Sequence, residues 1–223
     1  MIPWIHLDTA TVPGGSDKLK LMQRGGELSI LAGAHTLMNS RMSGSEEALA
    51  TLVCDRLQGP CSLLIGGYGM GFTLRAALAA LGADAVLTVA ELVPEIITWA
   101  RGPMAELTAG CLDDPRVRLV HDDVAALIRG GSGIFDAILL DVDNGPDGLV
   151  RRANNQLYSG RGLKAAKAAL RPGGVLAIWS AQKDAAFAAR LAGAGFTVDE
   201  VAVRARSNGK GAKHVIWFAT PTP

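Results

Sequence analysis

From residue 62 onward, short apolar segments alternate with segments of helical periodicity, and this alternation constrains the fold more than any other feature. The apolar segments are continuous, as strands covered on both faces must be. Strands joined by helices in this way form a doubly wound, mostly parallel sheet. We therefore expect an α/β fold with a seven-stranded sheet, and its predicted strands are 62–65, 85–90, 116–121, 135–140, 174–180, 197–204 and 213–219.

The flanking regions complete this organisation. The last two predicted strands are joined by a basic, glycine-containing turn and should pair antiparallel at one edge. The first forty residues contain glycine pairs between short alternating segments, which predicts small β-hairpins over 18–23, 27–31 and 35–39. We expect a small N-terminal β region over 1–43 and a main domain over 44–223. One helix is predicted to begin near residue 45. Further helices are predicted over 71–81, 93–107, 124–128, 160–170 and 183–194.

Composition excludes several classes of function. The chain has 22 basic and 21 acidic residues, so no global field attracts nucleic acid or an anionic membrane. No apolar stretch approaches the length of a membrane span, and the N-terminus lacks the pattern of a signal peptide. The three cysteines and four histidines show no metal-ligand spacing, so we expect no metal. These observations predict a cytoplasmic protein that binds neither nucleic acid nor membrane.

A glycine-rich turn follows the first strand of the main domain. It reads IGGYGMG over 65–71 and contains Gly66, Gly67, Gly69 and Gly71. A turn of this kind lets the backbone approach a ligand and directs helix N–H groups toward it. The dinucleotide fingerprint would need a small residue at position 72, where Phe72 stands. The tighter glycine spacing favours an adenosyl amino-acid sulfonium over a dinucleotide.

Carboxylates follow the next three strands. Because the carboxyl ends of parallel strands meet at one edge of the sheet, these acids should surround one ligand. Glu91 is placed to accept from ribose hydroxyls, and Asp122 and Asp123 from an adenine amino group. Asp141, followed by Asp143, closes the fourth strand beside the glycine turn. The pattern predicts an adenosyl-binding pocket.

Residues 61–174 resemble the spermidine synthase-like (polyamine aminopropyltransferase-like) family of the class I S-adenosylmethionine-dependent methyltransferase fold. This resemblance implies a Rossmann-like transferase whose donor is S-adenosylmethionine or its decarboxylated form, and a homodimer. It implies Asp141 as the catalytic base with Asp143 assisting, and Asn144, Gln156 and Tyr158 near a small-molecule acceptor. The matching pieces are the glycine turn, VAELVP at 89–94, DPRV at 114–117, FDAILLD at 135–141, QLYS at 156–159 and LRPGGV at 170–175.

The chain also departs from that family. Gly69 stands where spermidine synthases carry an aspartate that holds the donor amine, and Asn144 stands where they carry a second acid. Their amine-binding stretch aligns by length with 41–47, of which only Glu47 is retained, and Arg41 replaces an acid. A polyamine site should be rich in carboxylates, so these losses weigh against a polyamine substrate.

Three hypotheses follow. An arginine near the donor tail would favour the carboxylated donor, so the sequence places methyl transfer to a small amine or hydroxyl first. Aminopropyl transfer from decarboxylated S-adenosylmethionine is the alternative. A non-catalytic ligand-binding subunit is the third. We also expect Tyr68 and Trp179 to form walls of the pocket; the identity of the acceptor stays open.

Overall fold

The computed structural model describes residues 2–142 and 154–222 and contains two β-sheets. The smaller sheet is antiparallel, and its strands pair in chain order. The predicted hairpins at the N-terminus are confirmed, and an additional first strand precedes them. The strands of this sheet are β1 (Ile5–Thr11), β2 (Lys18–Arg24), β3 (Glu27–Ala32) and β4 (His35–Asn39).

The larger sheet has seven strands, as the sequence predicted. Its strands are β5 (Ser62–Gly66), β6 (Val86–Ala90), β7 (Val117–Val120), β8 (Phe135–Leu140), β9 (Leu170–Ser180), β10 (Phe196–Arg204) and β11 (Lys213–Pro221). They lie in the order β10-β11-β9-β8-β5-β6-β7. Strands β5 to β9 run parallel, whereas β11 runs antiparallel to its neighbours β9 and β10. This is the Rossmann-like arrangement expected from the alternation of strands and helices.

Helices connect the strands and cover the large sheet. One predicted helix, 93–107, is interrupted at Gly102 and Pro103, because proline removes an N–H donor and clashes with the preceding turn. In the described part of the chain, every helix is too short or too polar to cross a membrane. The helices are α1 (Gly44–Cys54), α2 (Phe72–Ala80), α3 (Pro94–Arg101), α4 (Ala105–Thr108), α5 (Val124–Gly130), α6 (Asn154–Leu157), α7 (Gly160–Ala169) and α8 (Ala185–Gly193).

The large sheet is buried on both faces. Along β5, Leu63 and Ile65 pack into one hydrophobic core and Leu64 into the other. Successive side chains of a strand point to opposite faces, so a strand covered on both sides is apolar throughout. The core on the first face also includes residues of the small sheet, among them Leu21 and Ile30. The two sheets therefore share one core.

Strand register brings the predicted site residues together. Gly66 at the end of β5 is aligned with Ala90 of β6 and with Leu140 of β8, and Ala90 is aligned with Val120 of β7. The chain moves from β5 to β7 in one direction and then crosses to β8 on the other side. Ligands of open α/β sheets bind at such a switch point.

Candidate active site

The glycine turn between β5 and α2 has the backbone conformation that only glycine adopts easily. Gly67, Gly69 and Gly71 all have positive φ, at 86°, 55° and 76°. A Cβ atom on Gly67 would lie 2.5 Å from the carbonyl oxygen of Asp141, so the turn packs directly against the end of β8. Glycine at position 67 is therefore required by close approach of two backbone segments.

The four glycines predicted to bind the cofactor do not all face the same space. Gly67 and Gly69 line a cavity at this edge of the sheet, whereas Gly66 and Gly71 are not among its lining residues. A Cβ on Gly66 would press against Val124 at 2.9 Å, and one on Gly71 would lie 2.8 Å from the hydroxyl of Tyr68. Gly66 and Gly71 therefore shape the turn, and their contact with the cofactor stays a prediction.

Glu91 follows β6 and lies under the glycine turn. One carboxylate oxygen accepts the backbone N–H of Tyr68 at 2.9 Å, and the other accepts that of Val93 at 2.8 Å. The side chain is buried and lines the cavity. Burial raises the pKa of Glu91, while the backbone donors act to lower it. Glu91 thus holds the turn in place from beneath while lining the cavity.

Asp122 and Asp123 follow β7, and both line the cavity. Asp123 caps helix α5, because its Oδ1 accepts the backbone N–H of Ala125 at 2.9 Å. The carboxylate of Asp122 accepts the N–H of Asp123 at 2.7 Å, and its side chain is exposed. The helix-capping role and the cavity-lining role coexist at this pair.

Asp141 follows β8 and faces the cavity opposite the turn. Its backbone N–H donates to the carbonyl of Gly66 at 3.0 Å, and its Oδ2 accepts the hydroxyl of Thr73 at 3.1 Å. Burial raises the pKa of Asp141 to about 6, against which the Thr73 hydrogen bond acts. A carboxylate poised near neutral pH is suited to accept a proton.

Glu46 is a site residue that the sequence analysis missed. It lies in the first turn of α1, is 8% exposed and lines the cavity. Burial and then the charge of Asp141 raise the pKa of Glu46 to about 8, and the hydroxyl of Ser45 donates to its Oε2 at 2.6 Å. Helical spacing provided a signal for it, because Glu46 shares the buried face of α1 with Leu49, Ala50 and Val53.

The residues predicted around the acceptor and the donor tail lie elsewhere. The side chain of Arg41 is 69% exposed and forms an ion pair with Glu27, with 3.4 Å between Nε and Oε2. It does not line the cavity, and neither does Glu47, the next residue after Glu46. The structure therefore places Arg41 beside Glu27 of the small sheet and outside the cavity lining, and a contact of Arg41 with the donor stays a prediction.

The remaining predicted contacts are also accounted for. Gln156 is exposed, and Tyr158 is buried against Phe187 with ring centroids 5.6 Å apart; neither lines the cavity. Tyr158 therefore packs in the core beneath α8, and its place near the acceptor stays a prediction. Asp143 and Asn144 lie outside the described residues.

Of the two aromatic side chains predicted to form walls of the pocket, Trp179 lines the cavity and Tyr68 does not. Trp179 lines the cavity, and its Nε1 has no hydrogen-bond partner among the described residues. Its ring packs edge-on against His214, with centroids 4.8 Å apart. Tyr68 does not line the cavity, because its hydroxyl is buried 3.4 Å from the sulfur of Cys111.

The cavity itself encloses about 970 Å³, counting its open mouth, and lies between the two sheets. The small sheet contributes an apolar wall, and the edge of the large sheet contributes the carboxylates. The described residues that line it include no lysine, arginine or histidine. They include five acids: Glu46, Glu91, Asp122, Asp123 and Asp141.

Comparisons with known proteins agree with the resemblance seen in the sequence. Over 123 residues the chain is 36% identical to a polyamine aminopropyltransferase of Mycobacterium tuberculosis, covering 54% of this chain and 23% of that protein. Polyamine aminopropyltransferase 2 of Pseudomonas aeruginosa is 31% identical over 123 residues, covering 53% of this chain and 33% of the relative. The chain thus spans about a quarter to a third of the length of these curated relatives. No family model matches it.

The fold is also found among solved structures. A spermidine synthase in complex with the transition state analogue AdoDATO superposes with a TM-score of 0.75 at 18% identity, covering 96% of this chain and 72% of that chain. A spermidine synthase from Thermotoga maritima gives the same values. In sequence the chain is similar to these polyamine aminopropyltransferases over about half of its length, and in fold it is similar to these spermidine synthases.

Proposed function

We propose that this spermidine synthase-like chain is a transferase that takes an aminopropyl group from decarboxylated S-adenosylmethionine and transfers it to a small amine. One observation carries the proposal: the described lining of the cavity contains five carboxylates and no basic side chain. The decarboxylated donor carries two positive groups, the sulfonium and the amine, and no carboxylate. S-adenosylmethionine carries the same two groups and a carboxylate. That carboxylate would enter a pocket whose described lining is acidic and offers it no cationic partner, which is costly in a partly buried site.

This choice reverses the order in which the sequence placed the two donors. Methyl transfer was preferred because Arg41 was expected beside the donor tail. Arg41 is instead paired with Glu27 on the small sheet, outside the cavity. The acids that the chain has lost relative to spermidine synthases are offset by Glu46, which brings a carboxyl group to the cavity from α1.

The arrangement assigns a role to each acid in the proposed complex. Glu91 accepts from the ribose hydroxyls, and Asp122 and Asp123 accept from the adenine, as the order of the strands suggests. Glu46 and Asp141 then lie on the side of the sulfonium and the donor amine. The polyamine aminopropyltransferases and spermidine synthases among the relatives support this class of donor.

The reaction is an in-line displacement. The nitrogen of the acceptor forms a bond to the carbon attached to sulfur, that C–S bond breaks, and its electron pair returns to sulfur as a neutral thioether. The acceptor nitrogen gives up one proton, for which Asp141 is the proposed base. The cavity contributes chiefly by aligning the two reactants and by excluding water.

Calorimetry with both donors tests the choice between them. We expect the decarboxylated donor to bind at least about tenfold more tightly than S-adenosylmethionine, because the lining residues that the structure describes offer the extra carboxylate no cationic partner. Incubation with a panel of amines should then release methylthioadenosine. Tighter binding of S-adenosylmethionine, with formation of adenosylhomocysteine, would establish methyl transfer instead. Binding without turnover of either compound would support the non-catalytic hypothesis.

Pairing of two copies also remains a proposal. The smaller sheet ends in β1 on one side, and an exposed edge strand offers hydrogen-bonding groups to a second chain. Sedimentation equilibrium of the purified chain would decide between monomer and homodimer.

A further inference from the structure

A chain of hydrogen bonds leads from the cavity toward the surface. The hydroxyl of Ser45 donates to Oε2 of Glu46 at 2.6 Å, and Nδ1 of His214 lies 2.9 Å from the same hydroxyl oxygen. Of the three residues, only Glu46 lines the cavity. Ser45 is fully buried, whereas His214 is partly exposed. The three side chains therefore connect a buried acid to a group in contact with solvent.

Close packing of α1 against the hairpin formed by β10 and β11 holds these hydrogen-bonded side chains in place. The backbone N–H of Gly44 donates to the carbonyl of Ala205 at 3.0 Å. Any Cβ on Gly44 would overlap the backbone of Arg206, so the first turn of α1 lies directly on this hairpin. On its other side, the ring of His214 packs against Trp179.

Few ionisable groups influence Glu46 and His214, the two ends of this chain of hydrogen bonds. Glu46 is influenced by Asp141 at the end of β8 and by Glu47 on its own helix. Burial lowers the pKa of His214, and within the described residues it is the one influence identified on that group. The imidazole is therefore neutral near pH 7 and can accept a proton on one nitrogen while releasing one from the other.

We propose that Ser45 and His214 form a relay that carries to solvent the proton released into the Glu46 and Asp141 carboxyl pair during transfer. This inference rests on the proposed function, since the proton comes from the acceptor amine. Ser45 and His214 are positioning residues, because neither lines the cavity.

The proton count balances over one turnover. The acceptor nitrogen loses one proton to the carboxylate of Asp141. The hydroxyl of Ser45, which donates to Glu46 in the resting geometry, first turns toward Nδ1 of His214. The proton held by Glu46 then passes to the oxygen of Ser45 as the hydroxyl proton moves to Nδ1, and the proton on Asp141 passes to Glu46 to restore the pair. Nε2 of His214 then releases one proton to water. One proton enters the pair, one leaves the imidazole, and no redox step is involved.

The relay is tested by single-turnover kinetics with donor bound and amine in excess, followed across pH 6 to 9. We expect His214→Ala and His214→Gln to slow transfer about tenfold, with donor affinity by calorimetry unchanged. Added imidazole should restore the rate of His214→Ala, where it can occupy the space left by the ring. Ser45→Ala should be equally slow without rescue. His35→Gln, at an exposed histidine on β4, is the matched control and should behave as wild type.

The outcomes separate this inference from the proposed function. If His214→Gln transfers as fast as His35→Gln, or if imidazole does not accelerate His214→Ala, the relay is wrong while the proposed function stands. If the wild type binds neither sulfonium compound, both are wrong. If it binds donor without turnover of any amine, both are wrong as well, because no acceptor amine then releases a proton into the pair.

Discussion

The thioether of Met38 occupies the space into which any side chain at Gly69 would project. A Cβ built on Gly69 overlaps the sulfur of Met38, and the backbone there has φ of 55°. An aspartate in this turn, as spermidine synthases carry, would therefore require the Met38 side chain to move and would strain the backbone. The acid that approaches the same cavity comes instead from Glu46 on α1.

This overlap predicts a coupled pair of substitutions. Gly69→Asp alone should weaken donor binding and lower the free energy of unfolding, because the new side chain meets Met38. Met38→Ala creates space, so the double variant should recover part of both, with a coupling energy of about 1 kcal/mol or more, while the backbone strain of a non-glycine residue at this φ remains. Denaturant unfolding and calorimetry of the four proteins measure it. Purely additive effects would show that Met38 is not the obstacle.

Substitution at Asp141 should separate catalysis from binding. We expect Asp141→Asn to reduce the transfer rate by about a hundredfold or more, because the amide cannot accept the proton of the acceptor amine. Donor binding should remain detectable, since Glu91, Asp122 and Asp123 are intact. The same change at exposed Asp84 is the control and should leave the rate as in wild type. An active Asp141→Asn variant would remove this residue from the mechanism.

The buried carboxyl of Glu46 should make stability depend on pH. The pKa of Glu46 is raised from 4.5 to about 8, so the folded state holds its proton more tightly than the unfolded state does. Stability from this group is complete below about pH 4.5 and is lost as the pH rises toward 8.

Glu46→Gln removes that loss. Its free energy of unfolding should match wild type near pH 5 and exceed it by roughly 2 kcal/mol or more at pH 9. Glu47→Gln, on the same helix but outside the cavity, should change the unfolding free energy far less. Denaturant titrations at both pH values test this. Equal stabilities of wild type and Glu46→Gln at pH 9 would contradict it.

Substitution by phenylalanine should lower the free energy of unfolding by different amounts at two buried tryptophans. Nε1 of Trp99 donates to Oδ2 of Asp8 at 2.7 Å, so Trp99→Phe should cost about 1–2 kcal/mol of stability. Nε1 of Trp179 has no partner among the described residues, so Trp179→Phe should cost little. Denaturant unfolding of both variants compares the two costs, and an equal loss of stability in Trp99→Phe and Trp179→Phe would contradict this prediction.

Local patterns were sufficient for the sheet and for one side of the site. Parallel strands place their carboxyl ends at a common edge, so Glu91, Asp122, Asp123 and Asp141 could be grouped from their positions after successive strands. The roles of individual residues within the turn could not be predicted from the same local patterns. Gly66 and Gly71 lie in the predicted turn but do not line the cavity. The direction in which a side chain would point from each glycine depends on how the turn packs against its neighbours.

The sequence by itself determined the order of strands and helices, the glycine turn and the acids beside it, because these follow from periodicity and from the topology of a parallel sheet. Only the tertiary structure decided which groups complete the cavity from the opposite side. Glu46 and Met38 enter it, and Arg41 stays outside, because of the way the small sheet and α1 pack on the large sheet. Such contacts join residues far apart in the chain, and no local pattern of residues specifies them.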